Sequence, residues 1–159
     1  MTDNKHLYLL AQFDSATQAA FESGYAALKS HGFDGRQTKN IPYHFTLGSF
    51  DTGLEAKLTA DLERVCGETA PVEFLFDHIG LFGLEVLFAA PRVTRELLDL
   101  YAKFSGNQTP HATVLIDDPD VILRALPVFS QAFKPVPARI ESVALYEFFP
   151  TRFIAERKL

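Results

Sequence analysis

Cysteine is nearly missing from this 159-residue chain, which has only Cys66. That excludes an internal disulfide framework and makes a reducing compartment, the cytoplasm, the expected setting. Cys66 follows Val65 in a helical pattern without activating neighbours, so it reads as a small core residue. Long apolar runs are missing as well. No stretch approaches a membrane span, and the opening MTDNKHLYLLAQF is broken at Gln12 and Asp14 before it resembles a signal peptide. There is no dense basic run either: the net charge is −5, with Lys and Arg scattered along the chain. A long nucleic acid needs a basic stripe to neutralise many phosphates. This balance suits a small phosphorylated ligand instead. Neither a glycine-rich phosphate loop nor a Gly-x-Ser-x-Gly elbow occurs, which argues against nucleoside triphosphate hydrolysis and acyl transfer. His6, His31 and His78 stand at no metal-ligand spacing from the other histidines.

The composition, 47% hydrophobic and 22% charged, is that of one compact domain spanning 1–159. Strand-forming runs fall at 6–13, 41–50, 71–82, 84–90, 111–117, 138–149 and 151–159. Capping boxes SATQ (15–18) and TGLE (52–55) predict two helices, with stripes Phe21–Tyr25–Leu28 and Leu54–Leu58–Leu62–Val65. Pro91 predicts a third helix start, with stripe Leu97, Leu98, Tyr101 and Phe104, stopped by Gly106 as Gly32 stops the first. Asp118 before Pro119 predicts a fourth, carrying Ile122, Leu126, Phe129 and Phe133.

The order strand–helix–strand–helix–strand thus occurs twice, with one closing strand. A shift of 67 superimposes HFTL (44–47) on HATV (111–114) and Leu62 on Phe129. The loop before the first motif is seven residues longer than its counterpart. This predicts an α+β fold of two lobes, about 1–83 and 84–159. The lobes would be related by a pseudo-two-fold axis, with largely antiparallel sheets around a central cleft.

The shared skeleton is His, any residue, Thr, aliphatic. Alternation on a strand puts His44 with Thr46, and His111 with Thr113, on one face. Tyr43, Phe45 and Leu47, and Ala112, Val114 and Ile116, take the other, and Tyr43 becomes core or rim. Five His and eleven Thr give only about 0.35 His-x-Thr triplets by chance, so two in matching places point to function. Across a two-fold the four side chains converge. One neutral imidazole can take a proton while the other, protonated, gives one, and the hydroxyls can donate to phosphate oxygens. That is phosphodiester chemistry, and it needs no metal and no other cofactor. Tyr146, Phe82 and Phe149, near the ends of equivalent long strands, are candidate stacking platforms for a nucleobase, with core packing as the alternative. Arg139 and Arg152 read as a solvated edge.

Two such motifs in a duplicated small domain resemble the two-histidine (2H) phosphoesterase superfamily, in its 2′-5′ RNA ligase-like branch. The resemblance runs along most of the chain, through PYHFTLGSF and HATV. It implies metal-independent hydrolysis of a 2′,3′-cyclic phosphate or 2′-5′ linkage in a small nucleotide or RNA-derived substrate. His44 and His111 would be the catalytic pair, and Thr46 and Thr113 would hold phosphate. After the second motif the chain runs LIDDP, where ligase-like members often carry a basic residue, which favours small substrates. The alternatives are a nucleotide-phosphate sensor without catalysis and an RNA-end processing or 2′-5′ RNA ligase activity. No membrane, DNA or obligatory protein partner is expected.

Overall fold

The computed structural model describes residues 5–159; the first four residues of the expected first lobe and of the opening segment read above lie outside them. In chain order the elements are β1 (His6–Phe13), α1 (Ser15–Ser30), β2 (His44–Phe50), α2 (Glu55–Glu68), β3 (Val72–Phe82), β4 (Val86–Pro91), α3 (Arg95–Lys103), β5 (Ala112–Ile116), α4 (Pro119–Ala132), β6 (Val136–Phe148) and β7 (Arg152–Lys158). A 3-10 turn, Thr52–Leu54, precedes α2. The fold is α+β, and every strand that the sequence predicts is present.

All strand pairings are antiparallel and belong to one sheet. Its path is β2-β1-β6-β3-β4-β5, with β7 also on β6. The two long strands form the spine. Val72–Phe76 of β3 pair with Ile140–Val136 of β6, and the middle of that ladder, Phe74 opposite Ala138, marks the pseudo-two-fold. The half-sheets do not coincide with the sequence halves. β3 turns at Gly83 into a hairpin with β4, while β6 returns to pair with β1. The third strands are thereby exchanged, and each half-sheet is sewn from both halves of the chain.

Helix stripes and one sheet face share a single core that includes Leu9, Phe45, Phe74, Leu62, Leu100 and Phe129. Phe45 is fully buried, with ring centroids 5.0–5.5 Å from Phe13, Phe74 and Phe76. Burial of one such ring stabilises by about 1.5–3 kcal/mol, and aromatic pairing adds to it. Strand β2 is therefore pinned between its two cleft-facing residues. Among the described residues no helix is long and apolar enough to cross a membrane.

Helix ends differ in detail from the sequence expectations. Asp14, not Ser15, caps α1, its carboxylate accepting from the Thr17 amide at 3.0 Å, because the strand runs on to Phe13 and leaves Asp14 extended. That frees Gln18 from a capping box. Asp51 caps the 3-10 turn, so Leu54 stays exposed. Pro91 closes β4, and Thr94 caps α3, which rotates Leu100 into the core and leaves Leu98 outside. Ser105 takes the left-handed conformation after α3.

Gly106 does help to end α3, its amide donating to the Tyr101 carbonyl at 2.8 Å while Ser105 takes the left-handed position, and it has a second purpose. The α3–β5 loop crosses β2 there, and a Cβ would collide with the Leu47 carbonyl oxygen. Its counterpart is Gly35, with φ +85, where the α1–β2 loop meets Leu115 of β5. Each motif strand is thus crossed by the other motif's loop. Gly106→Ala is expected to destabilise by about 1–3 kcal/mol in urea unfolding. Gly67→Ala, on α2 with open space around it, is expected to stabilise by about 0.5–1 kcal/mol.

Candidate active site

The motif strands β2 and β5 are the two ends of the strand path. They approach within 8 Å between Cα atoms yet share no ladder. An unpaired edge usually invites another strand; here the gap between two such edges becomes the cleft. Both ladders carry a bulge at the motif's fourth residue. Leu9 and Leu10 pair with Gly48 and Thr46, leaving Leu47 extra, and Leu87 and Phe88 pair with Leu115 and Thr113, leaving Val114 extra. A bulge lets two successive residues face one side, so Leu47 with Gly48 and Val114 with Leu115 are all buried. It also reverses the alternation beyond Val114. Ile116, expected on the core face, consequently lines the cleft.

The cleft has a volume of about 490 Å³, within the range of small-molecule sites. His44, Thr46 and Thr113 line it together, and all three are half-buried. His111 stands at its margin rather than in its wall. It is held edge-on against the rings of Phe82 and Phe88, at 4.6 and 5.3 Å between centroids.

The two imidazoles are oriented alike. His44 Nδ1 donates to the Pro42 carbonyl at 2.8 Å and His111 Nδ1 donates to the Thr109 carbonyl at 2.6 Å, both two residues upstream. A carbonyl can only accept, so each neutral ring carries its proton on Nδ1 and leaves Nε2 free as a base. Burial pulls both pKa values below the ordinary imidazole range, opposed in part by these backbone bonds. Positive charge on His111 lowers His44 further. Charge on both rings at once is disfavoured.

Of the candidate platforms, Phe149 lines the cleft and is 68% exposed. Phe82, 40% exposed, supports His111. Tyr146 does not reach the opening. It is 9% exposed and stacked beneath Phe148 at 5.8 Å in a second small cluster on the cleft side of the sheet. Tyr43 packs on Phe21 at 5.1 Å and also contributes to the rim. Arg139 pairs with Glu73 at 3.2 Å, and Arg152 with Glu55 and Glu147 at 2.6 and 3.2 Å.

Sequence reasoning missed the contributions of Tyr8, Phe148 and the α1–β2 loop, residues 31–43. The Arg36 amide donates to the Ile116 carbonyl at 2.7 Å, and the Ile116 amide donates to Gln37 Oε1 at 2.9 Å. The Arg36 guanidinium meets Asp117 and Asp118 at 3.2 and 3.0 Å. Gln18 grips both the Tyr43 amide and carbonyl. So fastened, the loop walls one end of the cleft and places Lys39, a cation, in its lining. The seven extra residues were its signal. Among the described residues no three His, Cys, Asp or Glu side chains group as a metal site would need.

The family model of the 2′-5′ RNA ligase superfamily matches residues 16–148. No curated protein matches the sequence. Among solved structures, the chain is similar to E. coli LigT in apo form, with 16% identity over 99% of both chains and a TM-score of 0.63. It is similar to E. coli LigT complexed with 3′-AMP, with 16% identity over 98% of both chains and a TM-score of 0.63. A third likeness is to a protein described as a phosphoesterase, with 17% identity over 98% of both and a TM-score of 0.63. At these identities the likeness is one of fold.

Because both imidazoles bind protons less readily folded than unfolded, the unfolded chain takes up more protons as pH falls from about 6.5. Their contribution to stability is complete above that pH and is lost as pH falls toward their lowered folded values. The melting temperature should therefore drop between pH 7.5 and 5.5, and the drop should be smaller in His44→Gln/His111→Gln. The depressed carboxylates Asp61, Asp77 and Glu147 act only at lower pH.

Proposed function

Because the chain belongs to the 2′-5′ RNA ligase superfamily, we propose that it is a phosphodiesterase hydrolysing a 2′,3′-cyclic phosphate or 2′-5′ linkage in a small nucleotide or RNA-derived substrate. One observation carries this reading. Two His-x-Thr motifs from opposite ends of one sheet meet across a gap, each with its histidine held by the same backbone bond.

In the proposed reaction the phosphorus lies between the two halves. The neutral imidazole accepts a proton from water through Nε2 as the new P–O bond forms. The protonated imidazole gives its Nε2 proton to the ribose oxygen as the old P–O bond breaks. The acid and base roles then reverse to restore the pair. Thr46 and Thr113 hydroxyls donate to the non-bridging oxygens, whose charge grows in the transition state. No step requires a metal. Lys39 offers a positive charge at the walled end, and Tyr8 and Phe149 offer faces for a base. The 3′-AMP held by E. coli LigT supports a nucleotide as the occupant, and the closed end favours a short one.

In buffer containing EDTA, 2′,3′-cyclic nucleotides or 2′-5′ oligonucleotides should be turned over. His44→Ala and His111→Ala should each lose about 10²–10⁴ in kcat. The double variant should lose little more than the worse single one, because the pair acts as a unit. Thr46→Ala and Thr113→Ala should each lose about 10²–10³. Tight nucleotide binding without turnover by the wild type would instead support a sensor. Full activity in either histidine variant would end the proposal.

A further inference from the structure

Residues opposite one another in a ladder share a face. His44 is opposite Gln12, and Gln12 is opposite Ser142, so a row of three polar side chains crosses the cleft side of the first half-sheet. The corresponding row in the second half differs. Continuing the β4–β5 register places Ala90 beside His111, with His78 next in line. Gln12 therefore breaks the symmetry of the site on the His44 side alone.

Gln12 and Ser142 are 8% and 3% exposed, the two buried polar side chains of the described strands. The Ser142 hydroxyl donates to Gln12 Oε1 at 3.0 Å, which occupies the amide oxygen and fixes the amide plane. The Nε2, with two protons to donate, has no partner among the described residues. Tyr101 Oη is the one fully enclosed side-chain polar atom left unpartnered among them. Gln12 Nε2 is thus not sealed; Gln12 is not itself one of the residues lining the cleft, but its place opposite His44 in the ladder puts its side chain on the face that His44 shares. An all but buried amide left without an acceptor is unfavourable. A ligand oxygen in the cleft would satisfy it.

We propose that Gln12 is a substrate-contacting residue: its Nε2 donates a hydrogen bond to a phosphate oxygen on the His44 side of the cleft, and Ser142 is the positioning residue that aims it. The inference rests on reading the cleft as a phosphodiester site and assigns it a donor besides the motif threonines. It also makes the two halves inequivalent, since Ala90 offers nothing comparable.

The test compares wild type with Gln12→Leu, Gln12→Glu, Gln12→Asn and Ser142→Ala. Binding is measured with 3′-AMP and with inorganic phosphate, and turnover with 2′,3′-cyclic AMP. Gln12→Leu should weaken 3′-AMP binding and lower kcat/KM by about 10- to 100-fold, the worth of a hydrogen bond to a charged group. Gln12→Glu, equal in size but anionic, should fall further. Gln12→Asn should recover part of the loss, and Ser142→Ala should lie between. A packing role would not produce that order. On adding 3′-AMP, the Gln12 side-chain amide resonance should shift. Binding of 3′-AMP by Gln12→Glu within about twofold of wild type, or a resonance that does not move, would overturn the assignment. If Gln12→Leu fails to fold, Gln12→Asn and Ser142→Ala carry the comparison. Binding through Gln12 without any turnover would sink the hydrolase reading and leave Gln12 standing. Turnover with Gln12→Glu at wild-type efficiency would do the reverse, and a wild type that binds neither ligand would overturn both.

Discussion

If β2 and β5 exchanged hydrogen bonds, the strand path would close on itself and the space between the motifs would vanish. Nothing in their composition forbids it, because both strands already pair along their other edges, with β1 and β4. They are kept apart by what crosses them. Gly106 lies against the Leu47 carbonyl, and the 31–43 loop takes both backbone groups of Ile116. Edge protection of this kind usually guards against aggregation. In this molecule it also maintains an opening, and every chemical property of the cleft follows from that opening.

The second constraint is local. A bulge at Leu47 and at Val114 keeps the aliphatic residue in the core while the preceding His and Thr face outward. A carbonyl two residues before each histidine then selects the tautomer. These features need only the short segments PYHFTL and TPHATV, which is why a four-residue pattern carries so much information. The supports behind the two histidines differ. Phe45 anchors the first from the core, whereas Ala112 is too small to do so and Phe82 and Phe88 steady the second from the cleft side.

Much of this was legible in the sequence. The 67-residue offset located both motifs, and periodicity located four helices and seven strands. Cys66 is buried as expected, with its thiol pushed up to about 11 by burial. The misreadings share a cause: they concern residues whose role is decided by distant chain. Gln18 looked like a capping residue and instead grips Tyr43. Gly106 looked only like a helix stop and also admits the Leu47 backbone. Ile116 was displaced by a bulge that alternation alone does not reveal, and Tyr146 is screened by its own strand neighbour Phe148. Gln12 did carry a local signal, one amide in the apolar run HLYLLAQF. Its partner, Ser142, is 130 residues away.

The central claim is that both imidazoles address one anion. Nitrogen-detected NMR of the two rings during titration with inorganic phosphate measures this directly. The account predicts that Nε2 of His44 and of His111 start unprotonated at pH 7.5 and shift along a single binding curve with one phosphate per chain. A ring that does not respond, or two separate curves, would contradict it.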